Sequence, residues 1–99
     1  MAREKFQTLT EQMYYILLAL SEECCGIDIM QKVQKMTEGR VSIGPGTLYN
    51  LLEQFLEAGL IRITEAVGRK KNYILTDKGF DILEEEYERL QKQITDFNN

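Results

Sequence analysis

Six apolar residues near the C-terminus recur at a spacing that one element alone satisfies. Phe80, Leu83, Tyr87, Leu90, Ile94 and Phe97 follow one another at intervals of 3, 4, 3, 4 and 3. That is the a/d repeat of a helix lying along a second apolar surface. The opposite face carries Glu85, Glu88, Arg89 and Lys92. Thr76 stands where an N-cap is needed, so the pattern predicts a helix from Asp77 to about Asp96. Twenty residues of helix reach ~30 Å, too long to lie wholly on the core of a 99-residue chain. The seam therefore calls for the same helix, or the first helix, of a second copy. Packing onto its own domain is the competing reading.

The rest of the chain has the makeup of one small domain. Hydrophobic residues are 43% and charged residues 28% of it, which suits a soluble globular chain and not a disordered one. Its longest apolar run, Met13 to Leu20, falls far short of the ~20 residues that span a membrane. Residues 1–7 mix charges and contain no apolar signal core, so a cytoplasmic location is expected, with no membrane partner. There is no histidine, and the only cysteines are the adjacent Cys24 and Cys25. A metal site or cofactor is not expected within one chain. Free thiols near the end of a helix are the simplest reading of the pair, and a redox or metal sensor is the alternative.

Thr8 and Glu11 fit a capping box that opens a helix running to about Ser21. Leu9, Met13, Ile16, Leu17 and Leu20 form its stripe, while Tyr14, Tyr15 and Leu18 extend the apolar surface round the other side. A helix apolar nearly all round is covered on more than one face. Gly26 to Glu38 reads as a second helix, with Ile29, Met30, Val33 and Met36 inward and Gly39 as its C-cap. Val41 to Ile43 reads as a short extended piece. Pro45 suits the first turn of a third helix that buries Leu48, Leu51, Leu52, Phe55 and Leu56 and stops at Gly59. Leu60 to Ala66 alternates like a strand, Val67 to Lys70 looks like a hairpin tip, and Lys71 to Leu75 returns. The expected fold is mainly α with a small β-hairpin wing: a winged helix-turn-helix over residues 1–76, then a dimerisation helix over 77–99.

The net charge of −4 argues against nucleic acid until its distribution is considered. Residues 39–75 hold five basic and three acidic residues, and the segments on either side are acidic. The local field at a contact face, not the total, steers a phosphate backbone. The third helix turns Thr47, Asn50, Gln54 and Glu57 outward. Asn and Gln pair bidentately with adenine and Thr suits a phosphate or a thymine methyl, although every surface helix has some polar face. The run Arg69-Lys70-Lys71 is more telling, since three cations at a hairpin tip repel one another and bury nothing. Beside a duplex they neutralise phosphates or enter a minor groove; a solubilising loop is the competing reading.

Together these segments resemble the PadR family of transcriptional regulators in its short-C-terminal-helix form, over about residues 9–90. The most specific stretch runs from Gly46-Thr47-Leu48-Tyr49-Asn50 through Phe55-Leu56-Glu57-Ala58-Gly59, similar to the family's recognition helix. Gly68-Arg69-Lys70-Lys71-Asn72-Tyr73 through Thr76-Asp77-Lys78-Gly79 is similar to its wing and the entry to its last helix. Cys25-Gly26-Ile27-Asp28-Ile29 resembles the start of its second helix, with Ile27 where an aromatic is usual. The resemblance implies double-stranded DNA as partner, contacted by Thr47, Tyr49 and Asn50 from the helix and by Arg69, Lys70 and Lys71 from the wing. It also implies a homodimer on a palindromic operator, with helix one packed against the last helix across the interface. Tyr14, Leu18, Phe80, Leu83, Tyr87, Leu90, Ile94 and Phe97 are the candidates there. Some small relatives hold a drug-like or phenolic inducer in a pore between subunits, gripped by a tryptophan. This chain has no tryptophan; Tyr14, Tyr15 and Tyr87 are the candidates to line such a pore, with a core role as their simpler reading.

Two other classes compete. Catalysis needs a perturbed pair in a pocket, and nothing in the sequence suggests one, so no enzyme is expected. A winged helix used only for protein–protein contact fits the acidic total, but has no need of a basic wing tip.

Overall fold

The structure, a computed structural model, describes residue 6 and residues 8–99. The expectation drawn from residues 1–7 therefore lies largely outside the described part. Seven elements follow in order: α1 (Glu11–Ala19), β1 (Cys24–Cys25), α2 (Gly26–Met36), α3 (Pro45–Ala58), β2 (Ile61–Val67), β3 (Lys70–Leu75) and α4 (Asp77–Asn98). The three strands form one antiparallel sheet in the order β1-β3-β2. This is the expected winged helix-turn-helix with a long last helix.

The core sits where α1, α2 and α3 meet the base of the hairpin and the first half of α4. Ile16, Leu17, Leu20, Ile29, Val33, Leu48, Leu52, Phe55, Leu60 and Ile82 are all fully buried there. Phe6 joins them, its ring 5.7 Å from that of Phe55. Each such side chain contributes roughly 1.5–3 kcal/mol by leaving water, and it is this burial that holds helices as short as α1 in shape.

Several local expectations are corrected. Thr10, not Thr8, caps α1, its Oγ1 accepting from the Met13 N–H at 3.1 Å. The cap-to-third-residue relation is the same as in the expected box, shifted so that Leu9 is buried ahead of the helix. At the end of α2 the left-handed residue is Glu38 (φ 52°), and Gly39 follows it at φ 81°. The Gly39 N–H bonds the Gln34 carbonyl and the Glu38 N–H bonds that of Lys35, as in a Schellman closure. Met36 points outward at 43% exposure. Thr37 is buried instead: its Oγ1 donates to the Val33 carbonyl at 2.8 Å and accepts from the Val41 N–H at 3.1 Å. That pins the connection so that Val41 and Ile43 enter the core.

Val41–Ile43 is not a strand. The free edge of β3 is taken by Cys24 and Cys25, which pair with Tyr73 and Asn72. Cys24 and Cys25 thus form a short strand, and Cys25 is also the N-cap residue of α2; both are free and buried. The hairpin is tighter than expected by one residue at each end, since Lys70 already pairs with Val67 and leaves Gly68-Arg69 as a two-residue loop. Gly68 has φ 61° and Arg69 lies outside the left-handed region, the φ signs of a II′ turn. A bulge between Ile63 and Glu65 breaks the alternation of β2 and leaves Ile63 exposed.

Where α3 ends and α4 begins, the two are locked together. Gly59 closes α3 in the left-handed conformation. Its carbonyl accepts from Thr76 Oγ1 at 2.6 Å, and the Ala58 carbonyl accepts from Lys78 Nζ at 2.7 Å. Thr76 also caps α4, accepting from the Gly79 N–H at 3.1 Å. Gly79 passes so close to the Leu60 carbonyl that any Cβ there would overlap it. The orientation of α4 relative to α3 is therefore set by backbone contact.

Beyond that joint α4 has two characters. Gly79, Ile82, Leu83 and Glu86 are buried against the domain. Leu83, expected in an intersubunit seam, instead belongs to the core of its own chain, because α1 covers that side of α4. Residues 91–98 are all exposed.

Candidate nucleic-acid interface

Helix α3 presents its polar face as the spacing of its leucines requires. Thr47, Tyr49, Asn50, Glu53 and Glu57 are exposed, whereas Gln54, expected on the outward side, is half-buried. The N-terminal half of the face is thus uncharged, and the C-terminal half carries Glu53 and Glu57. Glu53 and Glu57 would repel phosphates, so the uncharged half with Thr47, Tyr49 and Asn50 is the part of the helix that suits an anionic partner.

Beside that half lies an open groove of about 460 Å³. The first residues of α2 (Cys25, Gly26, Ile27, Asp28) form one wall, Tyr49 the second, and Arg69, Lys70, Lys71 and Tyr73 of the wing the third. Strand alternation explains the third wall. Lys71 falls on the Tyr73 side of β3, while Lys70 also borders the opposite side with Glu65, Val67 and Asn72. Among the described residues the ion pairs are Lys32–Glu22 and Arg89–Glu86, so none of the three wing cations is neutralised by a carboxylate of its own chain.

Tyr49 is positioned by a glycine. A Cβ on Gly26 would sit 2.9 Å from Tyr49 Cζ, so the tyrosine ring lies on the bare backbone that opens α2. Tyr73 closes the floor; burial first, and the neighbouring Tyr49 second, push its phenol up from 10.0. The wing base is tied to β1's approach by Glu23, whose carboxylate accepts from Thr64 Oγ1 at 2.7 Å and Asn72 Nδ2 at 3.3 Å.

The structure thus brings Tyr49, Arg69, Lys70 and Lys71 to one groove and leaves Thr47 and Asn50 exposed on the same helix. It moves Gln54 partly out of reach. The start of α2 was missed by sequence reasoning: Gly26 reads as an ordinary helix-opening glycine until the ring that rests on it is known. Cys24 and Cys25 part company here. Cys24 joins the core, its Sγ 3.8 Å from the Ala19 carbonyl, and burial pushes its thiol up despite the nearby Lys32. Cys25 faces the groove. Among the described residues no cluster of His, Cys, Asp or Glu is arranged to hold a metal, and no helix is long and apolar enough to cross a membrane.

The three tyrosines expected near a pore gather where α1 meets α4. Tyr14 and Tyr15 stack edge to face at 5.5 Å. Burial, then Tyr15, Tyr87 and Glu86, push the Tyr14 phenol up. Glu86 is 1% exposed and takes two hydrogen bonds from the Arg89 guanidinium.

The family model for PadR-like transcriptional regulators matches residues 16–85. The chain belongs to the PadR-like family. It is a regulator family and not one of enzymes, in line with the reading of the sequence. The chain is 32% identical over 90 residues to the transcriptional regulator YqjI of Escherichia coli, covering 90% of this chain and 44% of that protein. It is 32% identical over 60 residues to the transcriptional activator GvpE2 of Halobacterium salinarum, covering 61% of this chain and 30% of that one. The chain thus spans less than half the length of these curated relatives. Among solved structures, a PadR-like transcriptional regulator from Bacillus cereus superimposes with a TM-score of 0.73 at 31% identity, over 89% of this chain and 88% of that one.

Proposed function

We propose that this PadR-like regulator binds double-stranded DNA sequence-specifically, as a homodimer on a palindromic operator, and represses transcription by occupying it. The observation that carries this reading is the shared groove: Tyr49 of α3 and Arg69, Lys70 and Lys71 of the wing line one open surface beside the uncharged end of α3. In the proposed complex Thr47 and Asn50 read base edges, Tyr49 and the wing cations hold phosphates, and Gln54 contributes at the margin. Labour divides at Thr76: residues up to it bind DNA, and residues 77–99 form the dimer with α1. Tyr14, Leu18, Phe80, Tyr87, Leu90, Ile94 and Phe97 supply that interface, and Leu83 is no longer among them. A small apolar or aromatic inducer would act where Tyr14, Tyr15 and Tyr87 gather, and the setting is the cytoplasm.

Selection of bound duplexes from a random pool tests the proposal. The expected result is convergence on an inverted repeat with half-sites about one helical turn, ~10 bp, apart. Failure to enrich any sequence overturns specific binding. Placing the selected operator in a promoter reporter then decides the sign, activation being the outcome against repression.

A further inference from the structure

Cys24 and Cys25 are adjacent, and strand alternation sends their side chains to opposite faces of β1. Cys24 packs in the core, where burial pushes its thiol up. Cys25 lines the groove instead. It is 7% exposed, so the groove is the route by which a reagent reaches it. The thiol is free, and no hydrogen bond among the described residues engages it.

The surroundings of that thiol suit an anion. Arg69, Lys70 and Lys71 line the groove against one carboxylate, that of Asp28. Cys25 is the N-cap of α2 and its side chain makes no capping bond, so the N–H groups that open the helix keep donors to spare. The floor adds an independent sign. Tyr73 is 5% exposed and borders the groove, yet its phenol has no hydrogen-bond partner among the described residues. A buried hydroxyl is seldom left unpaired, so this one marks where an acceptor atom of a ligand belongs. A backbone phosphate can use that seat when DNA is bound. A thiol at its edge gives the seat a second use when DNA is absent.

We propose that Cys25 is a site of reversible S-thiolation, taking half of a small carboxylate-bearing disulfide, and that the adduct excludes DNA from the groove. The consequence rests on the DNA-binding reading, whereas the chemistry does not. The Cys25 thiol gives its proton to water, and its sulfur attacks one sulfur of the disulfide. The old S–S bond breaks, and the other half leaves with the electron pair as a thiolate. A new S–S bond joins the retained half to Cys25. The protein thiol is oxidised and the departing half reduced, so no further reagent is consumed, and a second small thiol reverses the exchange. The carboxylate of the retained half lies among Arg69, Lys70 and Lys71, in the place of the phosphates.

Two disulfides of opposite charge test it on the full chain: dithiobis(nitrobenzoate), a dianion, and cystamine, a dication. One thiol per chain should react, and tandem mass spectrometry should place the adduct on Cys25. Arg69→Ala/Lys70→Ala/Lys71→Ala should slow the dianion roughly 10-fold, the lower end of charge focusing in a cleft, and should not slow cystamine. Added salt should have the same one-sided effect on wild type, a check that needs no variant. An adduct on Cys24, no adduct on the folded chain, or equal slowing of both reagents overturns the site. The thiolated chain should then bind duplex DNA at least ~10-fold more weakly and recover with dithiothreitol, while Cys25→Ser binds alike before and after treatment. Unchanged affinity after complete thiolation overturns the exclusion of DNA. A wild-type chain that binds no duplex before treatment overturns the DNA-binding reading, and the two reagents' rates still decide the site.

Discussion

The groove and the bare half of α4 are both surfaces that the fold leaves unfinished, and they are unfinished in opposite ways. At the groove, cations stand close together with no ion-pair partner among the described residues, over a surface that includes two tyrosines and a glycine. The fold gains nothing from that arrangement, and its free energy is recovered when phosphates arrive. On α4 the exposed groups are Ile94 and Phe97, whose burial is favourable with any apolar partner of the right shape. One surface selects its partner by charge and hydrogen-bond pattern, the other by spacing. On the proposed reading, a single chain with a net charge of −4 would bind an acidic polymer and its own copy with separate regions.

The joint between them should be the most sensitive point. Gly79→Ala forces a Cβ into the Leu60 carbonyl, and we expect a loss of ~3 kcal/mol, seen as a fall of roughly 12–24 °C in Tm. An unchanged melt would mean that α4 is free to swing and that the two surfaces are not geometrically coupled. Next in size, Ile82→Ala, on the seated half, should cost about 2–4 kcal/mol of fold stability. The double variant Ile94→Ser/Phe97→Ser, on the bare half, should leave the unfolding of the isolated subunit nearly unchanged. It should raise the dimer Kd at least ~30-fold, as loss of a hot spot of ~2 kcal/mol or more does. Sedimentation across a dilution series separates the two effects.

Within the groove, Gly26→Ala displaces the Tyr49 ring while leaving every cation in place. DNA affinity should drop by roughly 5–10-fold, about 1–1.4 kcal/mol, with an unchanged salt slope. A full wild-type affinity would remove Tyr49 from the contact. The smallest effect is alkaline. Burial raises the pKa of Cys24 from 9.0 and those of Tyr14 and Tyr73 from 10.0. The unfolded chain ionises first, so the stability these groups confer is intact below pH 9 and declines as the pH climbs past 9 and then 10. Melts between pH 8 and 11 should show that decline, with Tyr14→Phe flattening its upper part.

The two regions were also unequally legible in the sequence. The seam of α4 and the leucine stripe of α3 are periodic, and periodicity is local, so both helices and their outward faces could be placed from spacing alone. What spacing did not show is which side of α4 its own α1 would cover; that moved Leu83 from the intersubunit seam into the core. Val41 to Ile43 reads from its own residues as a short extended piece, but it joins no sheet. The edge of β3 is instead occupied by Cys24 and Cys25, a long-range pairing that no local pattern carries. The groove was only half visible for the same reason. Tyr49 and the wing cations could be named, but Gly26 acquires its part only from the ring that folds onto it. The tighter turn at Gly68-Arg69 moved Lys70 into a strand, where it borders both sides of the hairpin.

Binding of duplex DNA across a salt series, with wild type beside Arg69→Ala/Lys70→Ala/Lys71→Ala, tests the central claim most directly. The wing should account for about three phosphates, so the triple variant is expected to flatten the log–log salt slope by roughly 2.7 units, ~0.9 for each contact. It should weaken binding to all sequences alike while the melt of the free protein stays put. Wild-type binding that is weak, and that the triple variant leaves with the same slope, would contradict a wing built to hold DNA and would turn the groove into a surface for another partner.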